Sequence, residues 1–232
     1  MNIDCYAIMW NEQERLPWYL DNYHYARNIF LYDNYSTDST LEIAAKDPRV
    51  VVTPFGQPGS LDDGEYLRIK NNAWKGSDAD WVIVGDADEL LYHPDLFGCL
   101  ETTGATVLIP SQAYSMFSYE YVADYKQVKT GCNSPGYMKA CLFKPSALTE
   151  INYKPGCHQC GPVGDVAIDH PIDLVMYHYS HVGFEWVCKR YAACDARRGA
   201  MQRMYGWGSH YAQSRMSLAA VFEESKKCGE VR

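Results

Sequence analysis

The stretch "DADWVIVGDADELLYHPD", residues 78 to 95, decides the reading of this chain. Residues 81 to 85 are almost without polarity, and Asp86, Asp88 and Glu89 follow directly. A short apolar run bounded by turn-forming residues predicts a strand buried on both faces. Carboxylates held close together repel, so such a strand end calls for a positive partner or a wet site.

Working outward, the same texture recurs upstream. "IDCYAIMW" (3–10), "NIFLYDN" (28–34) and "RVVVTPF" (49–55) predict three earlier strands. Between them, "NEQERLPWYLDNYHYAR", "STDSTLEIAAKD" and "DGEYLRIKNNAWKGSDA" predict helices. The second of these has Ser39 and Glu42 spaced as a capping box, and the third turns Tyr66, Ile69, Ala73 and Trp74 inward. Strand and helix alternating in this way predict an α/β fold, a mostly parallel Rossmann-like sheet with helices on both faces. Downstream the pattern is less regular. "ATVLIPSQAYSMF", "YMKACLFKP" and "LVMYHYSH" predict strands, and "GFEWVCKRYAACDARR" predicts a helix. With no repeat and no linker, one domain is expected over 1–232.

Composition narrows the class. Hydrophobic residues are 47% and charged residues 22%, as in globular proteins, and no apolar run is long enough for a transmembrane helix. A net charge of −8 argues against nucleic acid as a partner. The first residues lack a basic and apolar leader, so a cytoplasmic location and nine reduced cysteines are expected. From Lys189 to Arg203 five basic residues face one acid, Asp195, which makes either a phosphate-facing cluster or a solvated helix face. The 19 tyrosines supply flat apolar faces with hydroxyls, suited to sugars and equally common in half-buried positions.

In an open α/β sheet, ligands bind beyond the carboxyl ends of the strands. Asn11-Glu12, Asp33-Asn34 and Asp86–Glu89 all fall at such ends. Asp86 and Asp88 are two apart, so in extended backbone both carboxylates can address one hard cation, Mg²⁺ or Mn²⁺. The competing reading is a pair of solvated or helix-capping acids.

At these residues the sequence resembles the GT-A glycosyltransferases of the family-2-like group, in which Asp86-Ala87-Asp88 stands as the DXD motif. The resemblance runs through "NEQERLPWYLDNY", "IFLYDNYSTDSTLEIA", "LRIKNNAWKGSDADWVIVGDADELL", "GYMKACLFKP", "GCHQC" and "HYSHVGFEWVCKRY". It implies a GT-A fold with a nucleotide-sugar-binding half over about 1–100 and an acceptor half with C-terminal helices over about 101–232. It further implies a metal-dependent hexosyltransferase-type enzyme that moves a sugar from a nucleoside-diphosphate sugar to a hydroxyl of a carbohydrate or glycan acceptor, with inversion. Asn11, Glu12 and Asp33 would border the nucleoside. Lys70, in a Lys-Asn pair about fifteen residues before Asp86, would meet the diphosphate, as would Lys139. Lys70 stands where the family has arginine, which keeps the charge and loses the bidentate fork. Asp86, Asp88 and His158 would hold Mn²⁺ or Mg²⁺, with His158 alternatively structural or, with Cys157 and Cys160, part of a zinc site. His178 and His181 are candidates for phosphate or acceptor contact, and their odd spacing on a strand would let only one face the site. Asp88 would carry the catalytic metal, and Glu120 or Asp165 would take the acceptor proton. The alternatives are a nucleotidyltransferase, for which "WNEQERLPW" lacks the glycine-rich loop, and a non-catalytic carbohydrate-binding protein on a degenerate transferase fold.

Overall fold

A computed structural model describes residues 1–232. Strand β1 (Ile3–Met9) is buried along its whole length and pairs in parallel with β2 (Asn28–Asp33) on one side. Strand β3 (Val50–Pro54) adds in parallel beyond β2, and β4 (Trp81–Asp86) lies parallel to β1 on its other side. These are the four expected strands.

Alternation along β1 divides the core in two. Ile3, Cys5, Ala7 and Met9 point to one face, packed with Leu16, Trp18 and Tyr19 of helix α1 (Leu16–Asn22). Ala44 of α2 (Thr40–Ala44) packs on that side too. Tyr6 and Ile8 point to the other face, where Ile69 of α3 (Asp63–Asn72) and the adjoining Trp74 cover them. β4 alternates likewise, with Trp81 and Ile83 on the first face and Val82 and Val84 on the second. Both faces of β1 and β4 are thus covered, as their unbroken apolar runs require, whereas the edge strand β3 is largely exposed.

After β4 the chain turns through Ala87 and Asp88 into β5 (Glu89–Tyr92), then α4 (Leu96–Thr102). The expected strand over 105–117 is instead two, β6 (Val107–Leu108) and β7 (Gln112–Ser118). Pro110 lies between them; lacking an N–H, it cannot continue a ladder, and the chain changes sheets there. β8 (Gly131–Asn133) follows, and the run "YMKACLFKP" contributes only β9 (Leu142–Phe143). β10 (Leu148–Glu150) and β11 (Val163–Gly164) make a small ribbon, and β12 (Ile168–Asp169) and β13 (Val175–Val182) complete the strands. The large sheet runs β12-β6-β9-β4-β1-β2-β3, with β9 antiparallel to both neighbours. Its mostly parallel, mixed α/β architecture is the one expected.

A second sheet, β5-β13-β7-β8, stands beside it. Helix α5 (Phe184–Arg197) follows β13, and α6 (Ala200–Tyr205) and α7 (Arg215–Ser225) end the chain. Phe184, Val187 and Tyr191 of α5 close with Phe117, Leu218 and Phe222 into a separate apolar cluster.

Two local expectations are corrected. Ser39 makes no side-chain cap; Asp38 Oδ1 accepts the Thr40 N–H (3.0 Å) instead. Nor are all cysteines free: Cys132 of β8 and Cys228 near the C-terminus form a disulfide, and the other seven are thiols. No helix is long and apolar enough to cross a membrane.

Candidate functional site

A cleft of about 680 Å³ opens where β1 and β4 end. β1 delivers Trp10 and Glu12, β4 and its turn deliver Asp86, Asp88 and Glu89, and α3 delivers Tyr66 and Lys70. The opposite wall comes from the second half: Tyr137, His158, His178, His181 and the α5 residues Arg190, Tyr191, Cys194 and Arg197. Their helical spacing puts those α5 residues on the face turned to the cleft. The basic cluster is therefore divided: Arg190 and Arg197 line the site, whereas Lys189 and Arg203 are exposed.

Each carboxylate at the end of β4 has its own cation. Lys70 Nζ, itself buried, donates to Asp86 Oδ2 (2.6 Å). Arg15 Nη1 donates to Asp88 Oδ2 (3.0 Å), and His178 Nε2 lies 3.5 Å from the same oxygen. Lys139 Nζ donates to Glu89 Oε1 (2.6 Å), and Glu89 Oε2 accepts the backbone N–H of Asp86 (3.0 Å). Burial alone would favour the neutral carboxyl of Asp88, but His178 and Arg15 outweigh it and hold the group well below the usual carboxylate range. Glu89 is pulled down in the same way, against its burial, by Lys139 and Lys70. Glu12, by contrast, is raised to about 7, because burial outweighs its bond to Arg190. Its Oε2 is buried without a partner.

The backbone explains why Asp88 meets His178. β5 and β13 pair with Glu89 opposite His178, and the Tyr179 N–H donates to the Asp88 carbonyl (2.8 Å). His178 and His181 both line the cleft, contrary to the expectation from their odd spacing. Between them β13 slips register against β7: His178 lies opposite Ser115, and His181 opposite Phe117. Three residues advance against two, so a bulge restores both rings to one side. Burial holds the His181 imidazole down at about 4, and it stays neutral.

Several expected residues are elsewhere. Asn11 and Asp33 do not line the cleft. The Asn11 amide is locked to Thr37, whose N–H donates to its Oδ1 (2.7 Å), and Asp33 closes its own turn by accepting from Ser36 Oγ (2.6 Å). Lys139 is behind the cleft wall, under Glu89. Glu120 and Asp165 are exposed and outside the cleft; Asp165 lies next to the far edge strand of the large sheet, where its carbonyl accepts from Thr106 Oγ1. His158 shares the cleft, with its ring 5.0 Å from that of Tyr137, but no three His, Cys, Asp or Glu side chains converge as a ready-made metal cage. This also removes the zinc alternative at Cys157, His158 and Cys160.

The donor chemistry nevertheless fits a hard divalent ion held partly by substrate. Asp86 and Asp88 each give Oδ2 to a protein cation and keep Oδ1 free of hydrogen bonds. A Mg²⁺-type ion is ordinarily held by one or two carboxylates and completed by phosphate and water. It is His178, not His158, that stands next to the Asp88 carboxylate.

No family model and no curated protein sequence matches the chain. Solved structures with some similarity include HddC from Yersinia pseudotuberculosis, 13% identical over 62% of this chain and 73% of that one, with a TM-score of 0.32. Another is a putative glucose-1-phosphate thymidylyltransferase from Bacillus anthracis, in complex with a sucrose, 8% identical over 100% of this chain and 98% of that one, also at 0.32. At such distances function must be argued from the chain's own cleft.

Proposed function

We propose that the protein is a metal-dependent glycosyltransferase taking its sugar from a nucleoside-diphosphate donor and passing it to an acceptor hydroxyl. Residues 1–100 would bind the donor, residues 101–232 the acceptor, within one domain. What carries the reading is the pairing of Lys70–Asp86 and Arg15–Asp88–His178 in one cleft, with an oxygen of each aspartate free. Asp86 and Asp88 would hold Mg²⁺ or Mn²⁺ together with the donor's phosphates, and the ion would offset the charge developing on the leaving diphosphate. Lys70 lies beside Asp86 and would meet the same phosphates, and Glu12 would border the nucleoside from the turn after β1. Glu120 and Asp165 do not line the cleft, so neither is proposed as the base, and inversion loses the support it drew from them.

The test is thermal unfolding with UDP, GDP, CMP and dTDP derivatives, with and without Mn²⁺. A ligand at about 100 times its Kd adds about 2.7 kcal/mol, which for a chain of this size raises Tm by roughly 5–10 °C. That rise should need Mn²⁺ and should vanish in Asp88→Asn. No shift with any nucleotide refutes the donor site, and pyrophosphate release from a sugar 1-phosphate and a nucleoside triphosphate would make the reaction nucleotidyl transfer.

A further inference from the structure

The cleft carboxylates Asp88 and Glu12 come from different turns, and each is held by an arginine from a different helical region, Arg15 just before α1 and Arg190 within α5. Both arginines rest on one side chain. The Arg15 guanidinium carbon lies 3.9 Å from the centroid of the Trp186 ring, and that of Arg190 lies 5.2 Å from it. Neither guanidinium stacks on any other ring. Trp186 is not in the cleft wall; it packs against the cluster of Phe117, Phe184, Val187 and Phe222.

We propose that Trp186 is a positioning residue, the shared support through which α5 sets the orientation of Asp88 and Glu12. Two guanidinium groups brought together repel, and the negative face of an indole offsets that repulsion for cations resting on it. Trp186 and Arg190 are four apart on α5 and so adjacent on its surface. Arg190 Nη1 also donates to the carbonyls of Trp10 (3.1 Å) and Asn11 (3.3 Å), and Arg15 Nη2 to that of Ser180 (3.4 Å). The indole thus joins the turn after β1, the turn after β4, β13 and α5. An aliphatic side chain would fill the space but give neither cation a face to rest on.

The proposal builds on the donor-site reading, because it says what keeps that site's carboxylates in place. The test uses the full chain with Trp186→Leu and Trp186→Phe. In the wild type, the Nε–H signals of Arg15 and Arg190 should carry ring-current shifts in ¹H–¹⁵N spectra. Both should relax together in Trp186→Leu, and partly in Trp186→Phe. Affinity for a nucleoside diphosphate with Mn²⁺ should fall about tenfold in Trp186→Leu and less than about threefold in Trp186→Phe, which keeps a π face. Unchanged arginine signals, or equal affinities in the two variants, overturn the proposal. A wild type that binds no nucleoside diphosphate refutes the donor reading, and the arginine signals still decide the support. If Trp186→Leu does not fold, the partial, simultaneous shift in Trp186→Phe decides it.

Discussion

Replacing Lys139 by methionine tests what lies beneath the cleft. Lys139 and Glu89 are each 2% exposed, and Lys139 Nζ donates to Glu89 Oε1 at 2.6 Å. Methionine keeps the apolar stem and removes the charge, leaving Glu89 buried with Lys70 as the nearest remaining cation in its surroundings. Breaking a buried ion pair by removing one partner costs about 3–5 kcal/mol, which in a chain of this length lowers Tm by roughly 10 °C. The pH dependence should change sign as well. In the wild type the folded pKa of Glu89 is depressed, so its contribution is present above the unfolded value, near 4.5, and is lost as pH falls below it. Without Lys139, burial dominates and the folded pKa rises above the unfolded value. The variant then gains relative stability in acid and loses it as pH rises through the new folded value. Lys139→Met combined with Glu89→Gln removes the stranded charge and keeps an acceptor for the Asp86 N–H, so most of the loss should return. Urea unfolding of wild type and the two variants between pH 4 and 8 is the assay. A Lys139→Met protein within about 1 kcal/mol of wild type at every pH would refute the reasoning.

Two further outcomes follow from the same chemistry. Glu12 is raised to about 7 by burial, so the stability of its neutral form is complete below the unfolded pKa and lost as pH rises through 7; in Glu12→Gln that pH-dependent loss should be absent, read by chemical unfolding between pH 5 and 8. The Cys132–Cys228 disulfide spans 96 residues of sequence, so Cys228→Ser should cost about 2–5 kcal/mol, and a thiol reductant should lower the melting point of wild type but not of this variant.

The sheet was legible because its leading strands are apolar runs, β1 and β4 buried and β3 an exposed edge. Apolar runs such as "WVIVG" have no polar face to misplace, and helical periods separate them. The second half resisted for local reasons. Pro110 splits an apparently continuous strand, and the bulge between His178 and His181 reverses the inference from their spacing. No period in the sequence announces a bulge, because it inserts one residue without changing the residue types around it.

The site was legible in its acids and largely illegible in their partners, and sequence distance explains the difference. Lys70 and Asp86 are 16 residues apart, within one helix–strand unit, and the structure brings the two side chains together. The other pairs span 73 residues for Arg15–Asp88, 50 for Lys139–Glu89 and 178 for Arg190–Glu12. No local pattern links such positions; only the closed fold does. The acids at the end of β4 called for a positive partner or a wet site, and the structure supplies the positive partners. The acids alone did not show how much positive charge the protein itself supplies. Lys70, Arg15 and Lys139 give one full cation to each of the three carboxylates, so the chain itself balances the charge that its sequence gathers at the end of β4.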